Sequence, residues 1–189
     1  PKTNETPLLA ACSNNRMDMV EFLLAHGADV NAAGDHHVTP LLLACISTNA
    51  SLVECLLKHG ADPLLTMDGG VTALHVLCEA VSRYQDDEVV QVCANHALSF
   101  FTAEESCVMA MLNHGLVGTY LEVLAHFAAN QEVQRNVLEV TAVLCGTPMG
   151  CTTFFNEGGL LRVFPAMSAY PEDAMLLAFC CDIIACCIH

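Results

Sequence analysis

Apolar and small residues recur along this chain in a fixed register. Thr6-Pro7-Leu8-Leu9-Ala10-Ala11-Cys12 returns as Thr39-Pro40-Leu41-Leu42-Leu43-Ala44-Cys45 and again as Thr72-Ala73-Leu74-His75-Val76-Leu77-Cys78, each time 33 residues on. A second block, Phe22-Leu23-Leu24-Ala25-His26-Gly27-Ala28-Asp29, is matched by Cys55-Leu56-Leu57-Lys58-His59-Gly60-Ala61-Asp62. Within the blocks, Leu8, Ala11 and Cys12, and then Met19, Val20, Leu23 and Leu24, follow helical spacing. Proline suits the first turn of a helix, which needs no N–H there, and threonine before it caps that turn. Gly27 and Gly60 end the second helix with a residue that tolerates positive φ. Each unit therefore reads as two short antiparallel helices, too small to bury their own apolar face, so neighbours must stack. About three units are expected over residues 4–97. The third carries some four extra residues around Ser82 to Asp87, expected to lengthen an interhelical loop, after which Val89, Val90, Val92 and His96 regain the register.

From Leu98 onward the 33-residue rule fails. Thr102-Ala103-Glu104-Glu105 reads as a capping box opening a helix to about His114. Asn113-His114-Gly115-Leu116 pairs with Asn156-Glu157-Gly158-Gly159 at a spacing of 43. Asn130-Gln131-Glu132-Val133-Gln134 precedes an apolar helix through Cys145, and Tyr170-Pro171-Glu172-Asp173 precedes another to Ile188. Pro165 falls inside an expected helix and should kink it. Phe100 and Phe101 lie where the two patterns meet. Burying them would contribute about 1.5–3 kcal/mol each, enough to favour one stacked rod over two independent domains. The prediction is an all-α fold, a continuous, curved α-solenoid.

The 33-residue units resemble ankyrin repeats in their Thr-Pro-Leu opening and in the close Gly27-Ala28-Asp29-Val30-Asn31. The resemblance implies an ankyrin array over 1–97. Departures from that family's pattern are Leu9 and Leu42 in place of the histidine kept at His75, and Cys12, Cys45 and Cys78 in a slot usually held by alanine. His37 also stands where the hairpin turn usually has glycine, as at Gly70. Residues 98–189 resemble armadillo repeats in helix order and in a period near 42, with about two units over 113–189. Armadillo proteins that clamp extended basic peptides do so with Asn and Trp. Here there is no Trp, and Val143 and Ile183 stand in the aligned Asn slots.

The ankyrin resemblance also implies a groove. Its wall would be Ala10, Ser13, Asn14, Leu43, Ile46, Ser47, Val76 and Glu79, and its hairpin tips His36, His37, Met67 and Asp68. Leu43, Ile46 and Val76 would form an apolar strip rimmed by acid, suited to a helix or extended segment bearing Lys or Arg. Asn31, eight residues after Leu23 in an Asp-Val-Asn close, resembles the ankyrin pattern accepted by asparaginyl hydroxylases.

Charge narrows the partners further. Six Lys plus Arg face 21 Asp plus Glu, a formal net charge of −15. Nucleic-acid binding requires clustered cations, so it is not expected. Anionic membrane surfaces are repelled, basic partners favoured. The most apolar stretch, Ala174 to Ile188, carries Asp182 and falls short of the ~20 residues that span a bilayer. No signal peptide is expected. The sequons at Asn4 and Asn49 are discounted as glycosylation sites, the first because Thr6 is needed in a turn.

The 12 cysteines fall within apolar helical runs and read as reduced thiols of a cytosolic or nuclear protein. Cys180, Cys181, Cys186, Cys187 and His189 invite a zinc reading. They lie along one predicted helix rather than in paired turns, which favours core thiols, and no cofactor is expected. His26, His59 and His96 are expected near the ends of second helices, interacting with the dipole and the last carbonyls. No phosphate loop, zinc-protease motif or nucleophile elbow is present.

The expected function is a non-enzymatic protein–protein interaction scaffold or adaptor. A start at Pro1 and an end inside an apolar run lead to the expectation of a segment of a larger intracellular protein. Alternatives are a regulatory arm packed against a kinase or ubiquitin-ligase domain of the same polypeptide, and a metal or thiol enzyme using the cysteine-rich end. Self-association through Phe179, Ile183 and Ile184 is a further possibility.

Overall fold

The computed structural model describes residues 5–188, which leaves Asn4 of the first sequon and His189 of the zinc reading outside the described residues. The described chain is helical throughout: α1 (Pro7–Ser13), α2 (Met17–Ala25), a 3-10 turn (Asp35–His37), α3 (Pro40–Ile46), α4 (Ala50–Lys58), α5 (Ala73–Arg83), α6 (Glu88–Phe101), α7 (Glu105–Asn113), α8 (Leu116–His126), α9 (Gln131–Cys145), α10 (Pro148–Asn156), α11 (Leu160–Ala169) and α12 (Ala174–Ile188). The only β feature among the described residues is an isolated bridge between Thr66 and Thr72. No single helix there is long and apolar enough to cross a membrane.

The helix starts follow from local chemistry. Thr6, Thr39 and Thr72 are extended, and each hydroxyl accepts from the backbone N–H three residues on, at 3.2, 3.2 and 3.3 Å. Such caps are worth about 1 kcal/mol each. Gly27 and Gly60 follow α2 and α4 with φ of 82° and 84°, as a left-handed helix stop requires.

Stacking then removes the apolar faces from water. α1 packs on α3 and α3 on α5, while α4 packs on α6, α6 on α9 and α9 on α12. One buried cluster runs from Leu8 through Leu56, Leu98 and Leu144 to Ile183. Phe101 is fully buried at the junction and Phe100 packs against the same core. The architecture is an α-solenoid.

The two periods overlap on one helix pair. α5 opens as α1 and α3 do, 33 residues on, yet it also starts the longer spacing: α5, α8 and α11 begin at 73, 116 and 160, 43 and then 44 residues apart, and α6, α9 and α12 at 88, 131 and 174, 43 apart each time. The connecting turns repeat atom for atom. Asp87, Asn130 and Asp173 each donate a backbone N–H to the carbonyl three residues back, on Tyr84, Phe127 and Tyr170. Their side-chain oxygens accept from Val90, Val133 and Leu176 at 3.2, 3.1 and 3.0 Å. Gln91 and Gln134, both buried, donate to two carbonyls of the preceding helix end: Val81 and Tyr84 in one case, Leu124 and Phe127 in the other.

Several expectations are corrected. The extra residues of the third unit go mainly into helix: α5 has 11 residues where α1 and α3 have 7. The Thr102 capping box does not form, because Thr102 ends α6 and its hydroxyl donates to the Ser99 carbonyl at 2.6 Å. α7 instead begins after Glu104 with no side-chain cap. Pro165 does lie inside a helix, α11, which runs on to Ala169.

Candidate functional site

The hairpin loops between helix pairs are built alike. Gly34 N–H donates to the Val38 carbonyl, and Met67 N–H to that of Val71, both at 2.9 Å. Their tips turn through left-handed conformations: His36 and His37 at φ 58°, Gly69 and Gly70 at 90° and 79°. A non-glycine residue costs roughly 1–2 kcal/mol in that region. The two histidines offset the cost by reaching the next loop. His36 Nδ1 is 3.0 Å and His37 Nδ1 2.8 Å from the two oxygens of the Asp68 carboxylate, and Asp68 N–H donates to the His36 carbonyl. Hydrogen bonds from His37 and then His36 hold the Asp68 carboxyl below its ordinary range. Met67 stands in the same hairpin, half-buried against the core.

Asn31 links the same loops lower down. Its amide donates to the Gly60 carbonyl at 3.3 Å, and its carbonyl oxygen accepts from Asp62 N–H at 2.9 Å.

Behind the tips, two hollows open on the face made by α1, α3 and α5. The first, about 240 Å³, is lined by Glu5, Leu9, Ser13, Gly34, Asp35, Val38 and Leu43. The second, about 330 Å³, lies against α3, α5 and the start of α6, where Ile46, Val76 and Glu79 meet Arg83 and Tyr84. Ile46 is 58% exposed, a large apolar side chain left in water. Arg83 pairs with Glu79 at 3.4 Å, so the acidic rim expected at Glu79 is partly neutralised. An acidic hollow of about 580 Å³ adjoins through Arg83 and Tyr84 and includes Asp86, Asp87 and Glu88.

The structure therefore gathers Ser13 and Leu43 in one hollow, Ile46, Val76 and Glu79 in another, and His36, His37 and Asp68 at the tips. Asn14 and Ser47 line neither hollow. Asn14 donates to the Ala10 carbonyl at 2.8 Å, and Ser47 to the Ala44 carbonyl at 3.0 Å and to Asn15 at 3.3 Å. Short polar side chains at a helix end bond to the last carbonyls in this way. Ala10 is half-buried.

The remaining candidates take structural places. Cys12, Cys45 and Cys78 are buried at equivalent positions; burial pushes the Cys12 thiol up to about 11 and Cys78 to about 12, and raises Cys45 as well. Cys180 is buried and Cys181 exposed, on different sides of α12. Among the described residues no three His, Cys, Asp or Glu side chains are grouped to hold a metal ion. His26 and His59 place Nδ1 at 2.7 and 2.8 Å from the Phe22 and Cys55 carbonyls, at the ends of α2 and α4. His96, by contrast, lies inside α6 and packs on Phe100, because α6 continues to Phe101. Ile183 is buried, and Phe179 and Ile184 are half-buried against the core, so they do not form an uncovered patch. Exposed apolar side chains in the last unit include Phe155, Leu161, Phe164, Met175 and Ile188. Val143 and Ile183, aligned as Asn slots, are not equivalent in the 43-residue register, where Ile183 answers to Val140.

Comparison with curated proteins gives no match. The segment holding α1 to α4 and the loop that leads towards α5, residues 1–67, matches the family model described as ankyrin repeats (3 copies), a family of protein–protein interaction modules.

Proposed function

We propose that this chain is a non-enzymatic scaffold or adaptor segment that holds a basic or amphipathic polypeptide against the face of α1, α3 and α5. The observation that carries the reading is the second hollow, in which Ile46 stands more than half exposed and the partly buried Val76 lies beside Glu79, next to the Asp86-Asp87-Glu88 acidic edge. Water-exposed aliphatic side chains favour an apolar anchor, and acid around them favours a neighbouring Lys or Arg. The net charge of −15 acts in the same direction. The Asp68 clamp holds His36 and His37 in a fixed arrangement at the tips, which gives the partner a rigid polar edge.

As part of this reading, the array is ankyrin-like over about 1–97 and armadillo-like over about 98–189, with the pair α5–α6 keyed to both periods. The twelve unpaired thiols support a reducing location, cytoplasmic or nuclear. Hydroxylation of Asn31 is a further proposal, supported by its place in the Asp-Val-Asn close.

Selection from a displayed random-peptide library with the whole chain as bait tests the function. Enriched peptides should combine an aliphatic or aromatic anchor with Lys or Arg and bind less well as salt rises. Ile46→Asp should weaken them about 10-fold or more, the effect of losing one apolar anchor of ~1.5–3 kcal/mol. Peptides without basic residues, or binding unchanged by both Ile46→Asp and Glu79→Lys, would refute the assignment.

A further inference from the structure

The carboxyl-terminal unit brings two thiols from different helices into contact. Cys151 on α10 and Cys187 in the last turn of α12 have their sulfurs 3.8 Å apart, both half-buried. The approach is a consequence of the 43-residue architecture. In the preceding unit the equivalent positions are Val108 on α7 and Leu144 on α9, both buried where those helices pack together. An aliphatic contact in one unit is a dithiol contact in the next.

Three features aim the pair. Gly150 lets α10 lie close to the end of α9, since a Cβ there would fall 2.0 Å from the Leu144 carbonyl oxygen. The last carbonyls of a helix lack partners within it. Cys151 S–H donates to one of them, on Cys186, at 3.2 Å, which turns its sulfur towards α12. Finally, a hollow of about 620 Å³ lined by Cys145, Thr147, Cys151, Thr152 and Cys186 gives a small molecule a route to the Cys151 sulfur.

We propose that Cys151 and Cys187 form a reversible oxidation site whose substrate is a small hydroperoxide and whose product is an intramolecular disulfide tying α10 to α12. In the first step the Cys151 thiolate attacks a peroxide oxygen, breaking the O–O bond. Cys151 becomes a sulfenic acid, and the departing hydroxide takes the thiol's proton and leaves as water. Next the Cys187 sulfur displaces the sulfenic hydroxyl, which leaves as a second water with the Cys187 proton. Two thiols lose two electrons and one hydroperoxide gains them; with an organic hydroperoxide, one product is the alcohol in place of water. Burial and then the neighbouring Cys151 push the Cys187 thiol up to about 11, consistent with Cys187 as the second, resolving partner. This proposal is independent of the groove reading.

The test is peroxide treatment of the whole chain, alkylation of remaining thiols, and peptide mapping without reductant. The expected product is a Cys151–Cys187 linked peptide, lost on treatment with dithiothreitol, while Cys12, Cys45 and Cys78 stay reduced. The urea midpoint should rise on oxidation and return on reduction. Cys187→Ser should leave Cys151 as a sulfenic acid trapped by dimedone, and Cys181→Ser should leave the link intact. Cys151 and Cys187 both remaining reduced while the exposed Cys181 is oxidised would overturn the proposal, as would Cys151 linked to any other cysteine. Mapping the unsubstituted chain decides the matter even if a variant fails to fold.

Discussion

Replacing Gly150 with alanine adds one methyl group to the first turn of α10, and two effects oppose each other. On propensity alone the change favours the helix by ~0.8–1 kcal/mol. Sterically, the new Cβ would fall 2.0 Å from the Leu144 carbonyl oxygen, 2.6 Å from its carbon and 3.0 Å from Thr147 Oγ1. Two of these atoms are backbone at the end of α9, so α10 must move away by about 1 Å or more, which loosens buried packing. The same movement strains the Thr147 cap, whose hydroxyl accepts from Gly150 N–H at 3.0 Å. Losing a cap costs about 1 kcal/mol and overpacking about 1–3 kcal/mol, so the net loss should be about 1–3 kcal/mol after the propensity gain. For a chain of this size that lowers Tm by about 2–12 °C. Gly118→Ala in α8 is the matched control. Its Cβ meets only the end of the Glu157 side chain, at 2.9 Å, which can swing aside. There the propensity gain should survive and raise Tm by about 1–4 °C. Thermal unfolding followed by circular dichroism measures both. A neutral or stabilising Gly150→Ala, or equal losses at both sites, would refute the reasoning.

Other outcomes follow from single groups. The Tyr120 hydroxyl is fully buried without a hydrogen-bond partner, so Tyr120→Phe should stabilise the chain by about 1 kcal/mol in urea titration, and a loss would contradict that. Because the folded-state Asp68 pKa is depressed, the stability it contributes is complete above the unfolded carboxyl value near ~3.9 and disappears as pH falls through the lower folded value. Carbon-13 titration should place Asp68 below the usual carboxyl range, and the double change His36→Ala and His37→Ala should restore it. Native thiol labelling should modify Cys181 quickly and Cys12, Cys45 and Cys78 only after unfolding, since burial keeps the latter three thiols inaccessible and protonated.

The legible parts of this fold are those fixed by neighbours in sequence. Thr6, Thr39 and Thr72 cap helices because the bonded N–H is three residues away, and Gly27 and Gly60 end helices because the left-handed turn is local. What escaped was the origin of the longer period. Tyr84, Phe127 and Tyr170, with Asp87, Asn130 and Asp173, carry the 43-residue spacing back into the third 33-residue unit. Thr72 and Cys78 masked it by also satisfying the shorter period. Gln91 and Gln134 were a visible signal, since a glutamine in an apolar helix needs partners and each finds two carbonyls at positions equivalent to the other's.

The groove divides in the same manner. Ile46, Val76 and Glu79 follow from helical phase alone. Arg83 and Tyr84 reach the hollow only because α5 runs four residues longer, and Asn14 and Ser47 leave it because nearby carbonyls compete for their donors. The Asp68 clamp joins residues 31 and 32 positions apart, so its distances come only from stacking the two loops.

The claim on which the account rests is that both periods form one stack through α5 and α6. Hydrogen exchange on Leu98→Ala measures this directly, since Leu98 lies fully buried in α6, which packs on α4 and on α9. Truncating a buried leucine costs about 2–5 kcal/mol. The account predicts faster exchange in α4 and α9 alike; faster exchange on one side of α6, with the other unchanged, would contradict it.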